Sequence, residues 1–198
     1  LGYRTEIEDD FEDGYYDGWT SIGSGNKEVT SEAAANGSTY SFKESNSPQG
    51  HDNGIALGFE AIQPEYIGLY IRSGSTTMAD GYFVPRSSNG AFPFWIYFSP
   101  DYAHGVNIVI GSSEILTIGE YEENIWYKTE FRNIDWEQHK CDFYLNDMFV
   151  TEMAVSGDDI EVIHLYNNSP GSTAWWDEIY IGTEPPDDNI WLSTDPTS

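Results

Sequence analysis

The chain contains one cysteine, eight basic residues and no apolar run long enough to cross a bilayer. A lone Cys141 excludes an intramolecular disulfide, so a packed core must hold the fold. It alternates with Phe143 and Leu145, the pattern of a small buried residue and not of a reactive thiol. The missing apolar run excludes a membrane-spanning helix, and no signal-peptide pattern is present. Neither an internal repeat nor a long amphipathic helix pattern recurs. The shortage of bases says the most. Against 8 Lys and Arg stand 34 Asp and Glu, a formal net charge of −26. The acids are dispersed along the chain, so they form a solvated acidic surface rather than a disordered tail. Such a surface repels phosphate backbones and excludes nucleic acid as a partner. It also strains the fold by self-repulsion unless salt or bound cations screen it. A halophilic setting, or an extracellular one rich in divalent ions, is therefore expected.

What the chain has in excess is aromatic side chains and turn formers. Tyr, Phe and Trp make up 16% of its 198 residues, beside 19 Gly and 9 Pro, which favours strands and turns. The length suits one domain with a sizeable core. Period-two alternation appears at Ile55, Leu57 and Phe59, and again at Ile67, Leu69 and Ile71. Residues 92–98 are apolar on both faces, as a central strand would be. Residues 106–110 and 114–118 flank a Gly-Ser-Ser turn and read as a hairpin. Residues 125–134 and 141–150 are the longest candidates, with a tight turn expected at Asn146-Asp147. Residues 160–166 and 174–181 bring the expected total to about ten to twelve strands. Two antiparallel sheets packed face to face, an all-β jelly-roll sandwich, is the natural solution.

The ends of the sandwich are the most specific part. Near the start stands Phe11-Glu12-Asp13-Gly14-Tyr15-Tyr16-Asp17-Gly18-Trp19, and near the end Ala174-Trp175-Trp176-Asp177-Glu178-Ile179-Tyr180-Ile181-Gly182. First and last strands lie near each other in a jelly roll. After Gly182 the composition changes, and Pro185-Pro186 stops the last strand. The expected organisation is one domain over 1–182 and a tail over 183–198 that docks on this chain or on a neighbouring copy. The first residue is Leu, as expected of a processed mature chain or an excised domain. Asn36-Gly37-Ser38 and Asn167-Asn168-Ser169 are glycosylation sequons at Asn36 and Asn167, which together with the charge point to export.

The opening Phe11-Glu12-Asp13-Gly14 with Gly18-Trp19, and the closing Trp176-Asp177-Glu178-Ile179-Tyr180-Ile181, resemble the jelly-roll carbohydrate-binding modules that recognise cellulose, xylan and related glycans. The pattern Trp126-Tyr127-Lys128 with Tyr144-Leu145-Asn146-Asp147 and Val150 is similar to a hairpin of laminin-G-like and concanavalin A-like domains of secreted microbial proteins. The first resemblance implies a structural calcium where the two end segments meet, with Glu12 and Asp177 as ligands and Asp10 among the nearby acids able to add oxygens. Ca²⁺ takes six to eight oxygens, so carboxylates from two distant strands suit it. Asp177 is expected on the same strand face as inward-looking Ile179 and Ile181. The alternative reading of these acids is that they belong to the solvated acidic surface.

Nothing in the sequence has the pattern of a catalytic set. Jelly-roll glucanases carry three carboxylates in alternation on one strand, and here only Glu178 of Glu178-Ile179-Tyr180-Ile181-Gly182-Thr183 fits. Lyase-type sandwiches need Arg-Glu-Arg, Gln-Ile-His and Tyr-Lys sets. Ile163-His164 and Tyr127-Lys128 are fragments of these, and the chain holds too few arginines to complete them. The four histidines show no metal-ligand spacing. With Ile67, Leu69 and Ile71 inward, Tyr66, Tyr70 and Arg72 face outward. Trp95 and Tyr97 share a face of another strand, and Trp126, Lys128, Glu130 and Arg132 share a third. Flat rings beside polar side chains suit a sugar, whose C–H groups lie on the ring while its hydroxyls find partners. The expectation is a secreted, non-catalytic module that binds a polysaccharide or glycoprotein glycan. The competing expectation is a self-assembling extracellular structural subunit.

Overall fold

The computed structural model describes residues 6–101 and 105–186, and no helix occurs among them. Its strands are β1 (Ile7–Asp9), β2 (Thr20–Ile22), β3 (Asn26–Thr30), β4 (Ser41–Ser45) and β5 (Gly54–Ile62). They continue as β6 (Tyr66–Ser73), β7 (Asp80–Arg86), β8 (Trp95–Asp101), β9 (Gly105–Gly111) and β10 (Ile115–Gly119). The last five are β11 (Trp126–Asp135), β12 (Lys140–Leu145), β13 (Met148–Ala154), β14 (Ile160–Tyr166) and β15 (Ala174–Gly182).

These strands form two antiparallel sheets. The eight-stranded sheet runs β13-β12-β11-β6-β15-β4-β3, with β1 pairing β15 beyond the end of β4. The seven-stranded sheet runs β10-β9-β8-β7-β14-β5-β2. From β4 to β7 and from β13 to β15 the chain crosses between the sheets, so its neighbours in sequence are not its neighbours in the ladder. This is the jelly-roll sandwich expected from the sequence.

Alternation places the core between the layers. Ile67, Leu69 and Ile71 of β6 are fully buried, as are Phe131 of β11, Phe143 of β12 and Trp176 of β15. Rings from opposite sheets meet there. Phe94, just before β8, stacks on Phe131 with centroids 4.3 Å apart, and Phe98 of β8 tilts against Tyr127 of β11 at 5.7 Å. Cys141 lies in this core, and burial pushes its thiol up to about 12. That is an inert structural cysteine.

The two ends of the chain meet as expected. Ile7, Glu8 and Asp9 of β1 pair with Ile181, Tyr180 and Ile179 of β15. Phe11 packs on Phe42 at 5.9 Å, and Phe42 on Trp176 at 5.7 Å, so the opening and closing motifs share one aromatic cluster. The indole N–H of Trp19 donates to Asp9 Oδ2 at 2.6 Å. At the β12–β13 turn Asn146 and Asp147 both take positive φ, 50° and 67°, the conformation that a two-residue hairpin needs and that Asn and Asp tolerate best.

The structure differs from the expectation in two places. The strand expected over 92–98 begins only at Trp95. A turn closed by Ser87 N–H to Ala91 O leads into it, Phe92 is exposed, and Pro93 has no N–H to offer a ladder. The strand count exceeds twelve because β1, β2 and β3 are short and polar, with no apolar alternation to announce them. β15 ends at Gly182, where the composition changes. Residues 1–5, 102–104 and 187–198 lie outside the described residues, and with them most of the tail expected to dock.

Candidate functional site

The outward face of the eight-stranded sheet bears a groove of about 920 Å³, within the usual range of ligand sites. Its floor is set by register. Lys128, Glu130 and Arg132 of β11 stand opposite Tyr70, Gly68 and Tyr66 of β6, and Tyr180 of β15 stands opposite Gly68 from the other side. Two glycines make the floor possible. A Cβ at Gly68 would lie 2.3 Å from the Tyr66 hydroxyl, and one at Gly182 would lie 2.9 Å from the Tyr180 ring. Each missing side chain is thus the seat of a tyrosine ring lying along the sheet. The two rings meet at 5.9 Å. Tyr70, half-buried, completes the aromatic part of the floor.

A buried carboxylate organises the polar part. Glu130 is 1% exposed and accepts from the Tyr66 hydroxyl at 2.7 Å. It also accepts a fork from Arg132, Nε at 3.1 Å and Nη2 at 2.8 Å. Lys128 donates to Asp147 at 2.6 Å and lies 3.8 Å from Glu130. Burial works against the charge of Lys128 and Arg132, but these carboxylates outweigh it, and both bases are held above their ordinary values. Burial pushes the Tyr66 hydroxyl well up, with Glu130 adding to the effect. The Arg132 guanidinium lies 4.1 Å over the Tyr144 ring, which in turn meets the exposed Phe149 edge-on at 5.7 Å.

Of the residues expected to bind sugar, the structure brings Tyr66, Tyr70 and Glu130 together in this groove. Arg72 and Trp126, paired with each other, lie on the same face but do not line the groove. Arg72 spreads over Trp175 at 4.7 Å and donates to Asn124 at 3.3 Å. Trp95 and Tyr97 belong to β8 and so to the other sheet, on the opposite side of the molecule from the groove. There Tyr97 stacks on Tyr82 at 4.5 Å and 2°, and Tyr82 on Tyr166 at 4.7 Å. Trp95 lies against the backbone of Gly111, where a Cβ would come within 2.5 Å of it. Tyr180 and Glu178 line the groove without having been singled out as sugar ligands. The Gly182 two residues past Tyr180 was the available signal.

The acids expected to hold calcium gather at one end of the groove. A β-bulge at Asp177–Glu178, with Glu178 at φ 52°, shifts the register between Asp177 opposite Tyr70 and Tyr180 opposite Gly68. Asp177 therefore does not share the face of Ile179 and Ile181, as simple alternation had it. It points outward and is buried beneath the loop that precedes β4, where Oδ2 accepts from Ala35 N–H at 2.8 Å. Glu12 Oε1 accepts from Thr39 and Tyr40 N–H of the same loop at 2.8 and 2.7 Å, and Ser38 donates to Glu178. Asp10 caps Glu12 N–H at 3.0 Å. Burial pushes the Asp177 carboxyl up to about 8, with the charges of Glu178 and Glu12 adding to it. Burial also raises Glu178, with the charges of Asp10 and Glu12 behind it. Carboxylate oxygens are the donors a hard divalent cation takes, and Asp177 is buried near Glu12 and Glu178. The side chains themselves are turned to backbone amides, and among the described residues no three acids, histidines or thiols converge as ligands.

The two sequons part company. Asn36 is exposed on that loop. Asn167 is fully buried, its amide donating to Glu44 O at 3.1 Å and accepting from Gly81 N–H at 3.0 Å. In the folded domain its amide serves as a structural clamp.

No protein-family model matches this sequence, and no curated protein sequence does. Similarity to solved structures is extensive in shape and low in sequence. A sialidase matches with a TM-score of 0.67 and 11% identity over 90% of this chain, which spans only 18% of the sialidase's length. An endo-β-1,4-glucuronan lyase from the fungus Trichoderma reesei matches with a TM-score of 0.61 and 14% identity, covering 92% of this chain and 96% of the lyase. Domain 4 of AbnA, an extracellular arabinanase from Geobacillus stearothermophilus in complex with arabinotriose, matches with a TM-score of 0.54 and 14% identity over 89% of this chain and 90% of that one. These likenesses establish the jelly-roll sandwich, a fold that serves both carbohydrate-binding domains and carbohydrate-active enzymes.

Proposed function

We propose that this chain is a secreted, non-catalytic glycan-binding module whose binding surface is the groove on the eight-stranded sheet, with Ca²⁺ bracing the acid pocket at its end. The observation that carries the reading is the floor itself: tyrosine rings laid along the sheet over Gly68 and Gly182, beside side chains whose hydrogen bonds are already fixed. Tyr66 and Tyr180 are themselves buried, so the ring offered to a sugar is the half-buried Tyr70, set on this rigid floor beside preorganised polar neighbours, at little entropic cost to the protein. The AbnA domain, of the same fold, binds arabinotriose, which supports a glycan ligand.

Two features favour binding over catalysis. Glycoside hydrolysis needs an acid and a second carboxylate facing each other across the scissile bond, whereas both oxygens of Glu130 are taken up by the Arg132 fork and the Tyr66 hydroxyl. Lyase chemistry removes the proton beside a carboxylate and needs a free cation to stabilise the charge that develops. Both bases that line the groove are already paired. For calcium, the supporting observation is the buried Asp177 amid Glu12 and Glu178. Glu12 and Asp177 would hold the ion, and its charge would offset their repulsion and pin the two ends of the chain.

The test is retention on a panel of immobilised polysaccharides, followed by titration calorimetry with oligomers of whichever is retained. Loss of binding in a folded Tyr70→Ala domain supports the groove, and unchanged binding removes it. Release of reducing or unsaturated ends from any polysaccharide would replace the non-catalytic reading. A second reading, a self-assembling structural subunit, is favoured by the exposed Ile115, Met148 and Phe149 on the edge strands β10 and β13. A native mass many times 22.3 kDa that collapses with chelator would put it first.

A further inference from the structure

Resting on the glycan-binding reading, we infer that Glu130 makes the groove selective for uncharged glycans and closed to polyuronates. Lys128 and Arg132 are the two bases that line the groove, and in so acidic a chain they are the obvious receivers for a sugar carboxylate. The charge of each is already met by a carboxylate. Arg132 spends both forked donors on Glu130, at 3.1 and 2.8 Å, and Lys128 is held by Asp147 at 2.6 Å.

The arrangement is hard to open. Glu130 is 1% exposed, so a ligand that took Arg132 away would leave a buried carboxylate with Tyr66 as its remaining close partner. Arg72, elsewhere on this face, does not line the groove and is engaged by Trp175 and Asn124. Around the groove stand Glu8, Asp10, Asp147 and Glu178, whose field repels an approaching anion. A neutral sugar meets none of these penalties. Its hydroxyls can accept from the outward donors of Lys128 and donate to the carboxylates while its C–H face lies on Tyr70. Glu130 is thus a specificity device acting through the bases it holds, and its own contact with ligand is not required.

The test compares neutral oligosaccharides (xylo-, cello- and arabino-oligomers) with oligoglucuronate and oligogalacturonate, by titration calorimetry at low and at high salt. Wild-type protein is expected to bind a neutral series and to bind the uronates at least tenfold more weakly. Glu130→Gln keeps the shape and frees Arg132, and should raise uronate affinity at least tenfold, in a manner that added salt abolishes. Asp147→Asn releases Lys128 without touching the buried network, and should give a smaller gain of the same sign. Uronate binding by the wild type as tight as neutral binding overturns the inference and leaves the glycan-binding reading standing. A folded Glu130→Gln protein, judged by its melting transition, that gains no uronate affinity also overturns it. Should that variant fail to fold, the wild-type preference and Asp147→Asn decide by the same criteria. Absence of any retained glycan for all three proteins defeats the reading, and the inference falls with it.

Discussion

The two outer faces of the sandwich both carry tyrosines and tryptophan, and they use them in opposite ways. On the seven-stranded sheet, Tyr97, Tyr82 and Tyr166 stand on neighbouring strands and stack ring on ring, so their flat faces are consumed by one another. On the eight-stranded sheet, glycines at 68 and 182 let Tyr66 and Tyr180 lie down along the strands, and a groove opens above them. Strand spacing of about 4.8 Å is close to the thickness at which rings stack, so cross-strand tyrosines pair unless a neighbouring position is empty. Aromatic number therefore says little about where a ligand binds. The orientation of the rings, decided by what stands two residues away on the same face, says more.

The largest effect that would sharpen this contrast is on stability, at Asp177 in the acid pocket and at two buried carboxyls elsewhere, Glu44 of β4 and Asp80 of β7. Asp177 is pushed by burial to about 8 and Glu44 to about 7, and burial also raises Asp80 well above its ordinary value. Ionising such a group costs the folded state more than the unfolded chain. Its stabilising contribution is present below about pH 4 and is lost as pH rises through the folded value. Stability should therefore fall by several kcal/mol between mild acid and about pH 8. Asp177→Asn should remove part of that slope, and Ca²⁺ should raise the melting temperature more at pH 8 than at pH 5. Thermal melts across pH check this, and a stability that rises from pH 5 to 8 would contradict it.

Next in size is the stacked face. Tyr82→Ala removes two ring contacts and should cost about 2 to 3 kcal/mol in chemical denaturation, with glycan retention unchanged. Tyr70→Ala should do the converse. It should weaken glycan binding tenfold or more, about 1.4 kcal/mol, while moving the denaturation midpoint far less than Tyr82→Ala does. The smallest effect is expected at Trp95→Ala and Tyr97→Ala, which should leave glycan affinity within about twofold. Loss of binding at either would move the site to the other face and erase the contrast.

Much of the fold was legible because alternation is a local property. Ile67, Leu69 and Ile71 announced β6 and its inward face, and Val162, Ile163 and Leu165 lie within a strand expected over the same residues, 160–166. The site was legible only in part. Tyr66, Tyr70 and Glu130 were found by asking which residues face away from the core, a question that alternation answers. Trp95 and Tyr97 passed the same test and lie on the other sheet, because sheet membership depends on partners far away in sequence. Asn167 reads as a sequon, yet its amide is spent on Glu44 and Gly81, which only the folded chain brings to it.

By itself the sequence determined that this chain is an acidic, disulfide-free sandwich of antiparallel strands whose first and last motifs meet. The charge, the missing disulfide and the strands follow from composition and period-two patterning, which every residue carries locally, and the meeting of the end motifs was implied by their resemblance to jelly-roll modules. Only the tertiary structure decided which tyrosines lie flat and which stack, where the bulge at Asp177–Glu178 turns an acid out of the core face, and which carboxylate holds each of the groove's bases. Each of those outcomes is set by contacts between strands dozens of residues apart, and no local pattern encodes them.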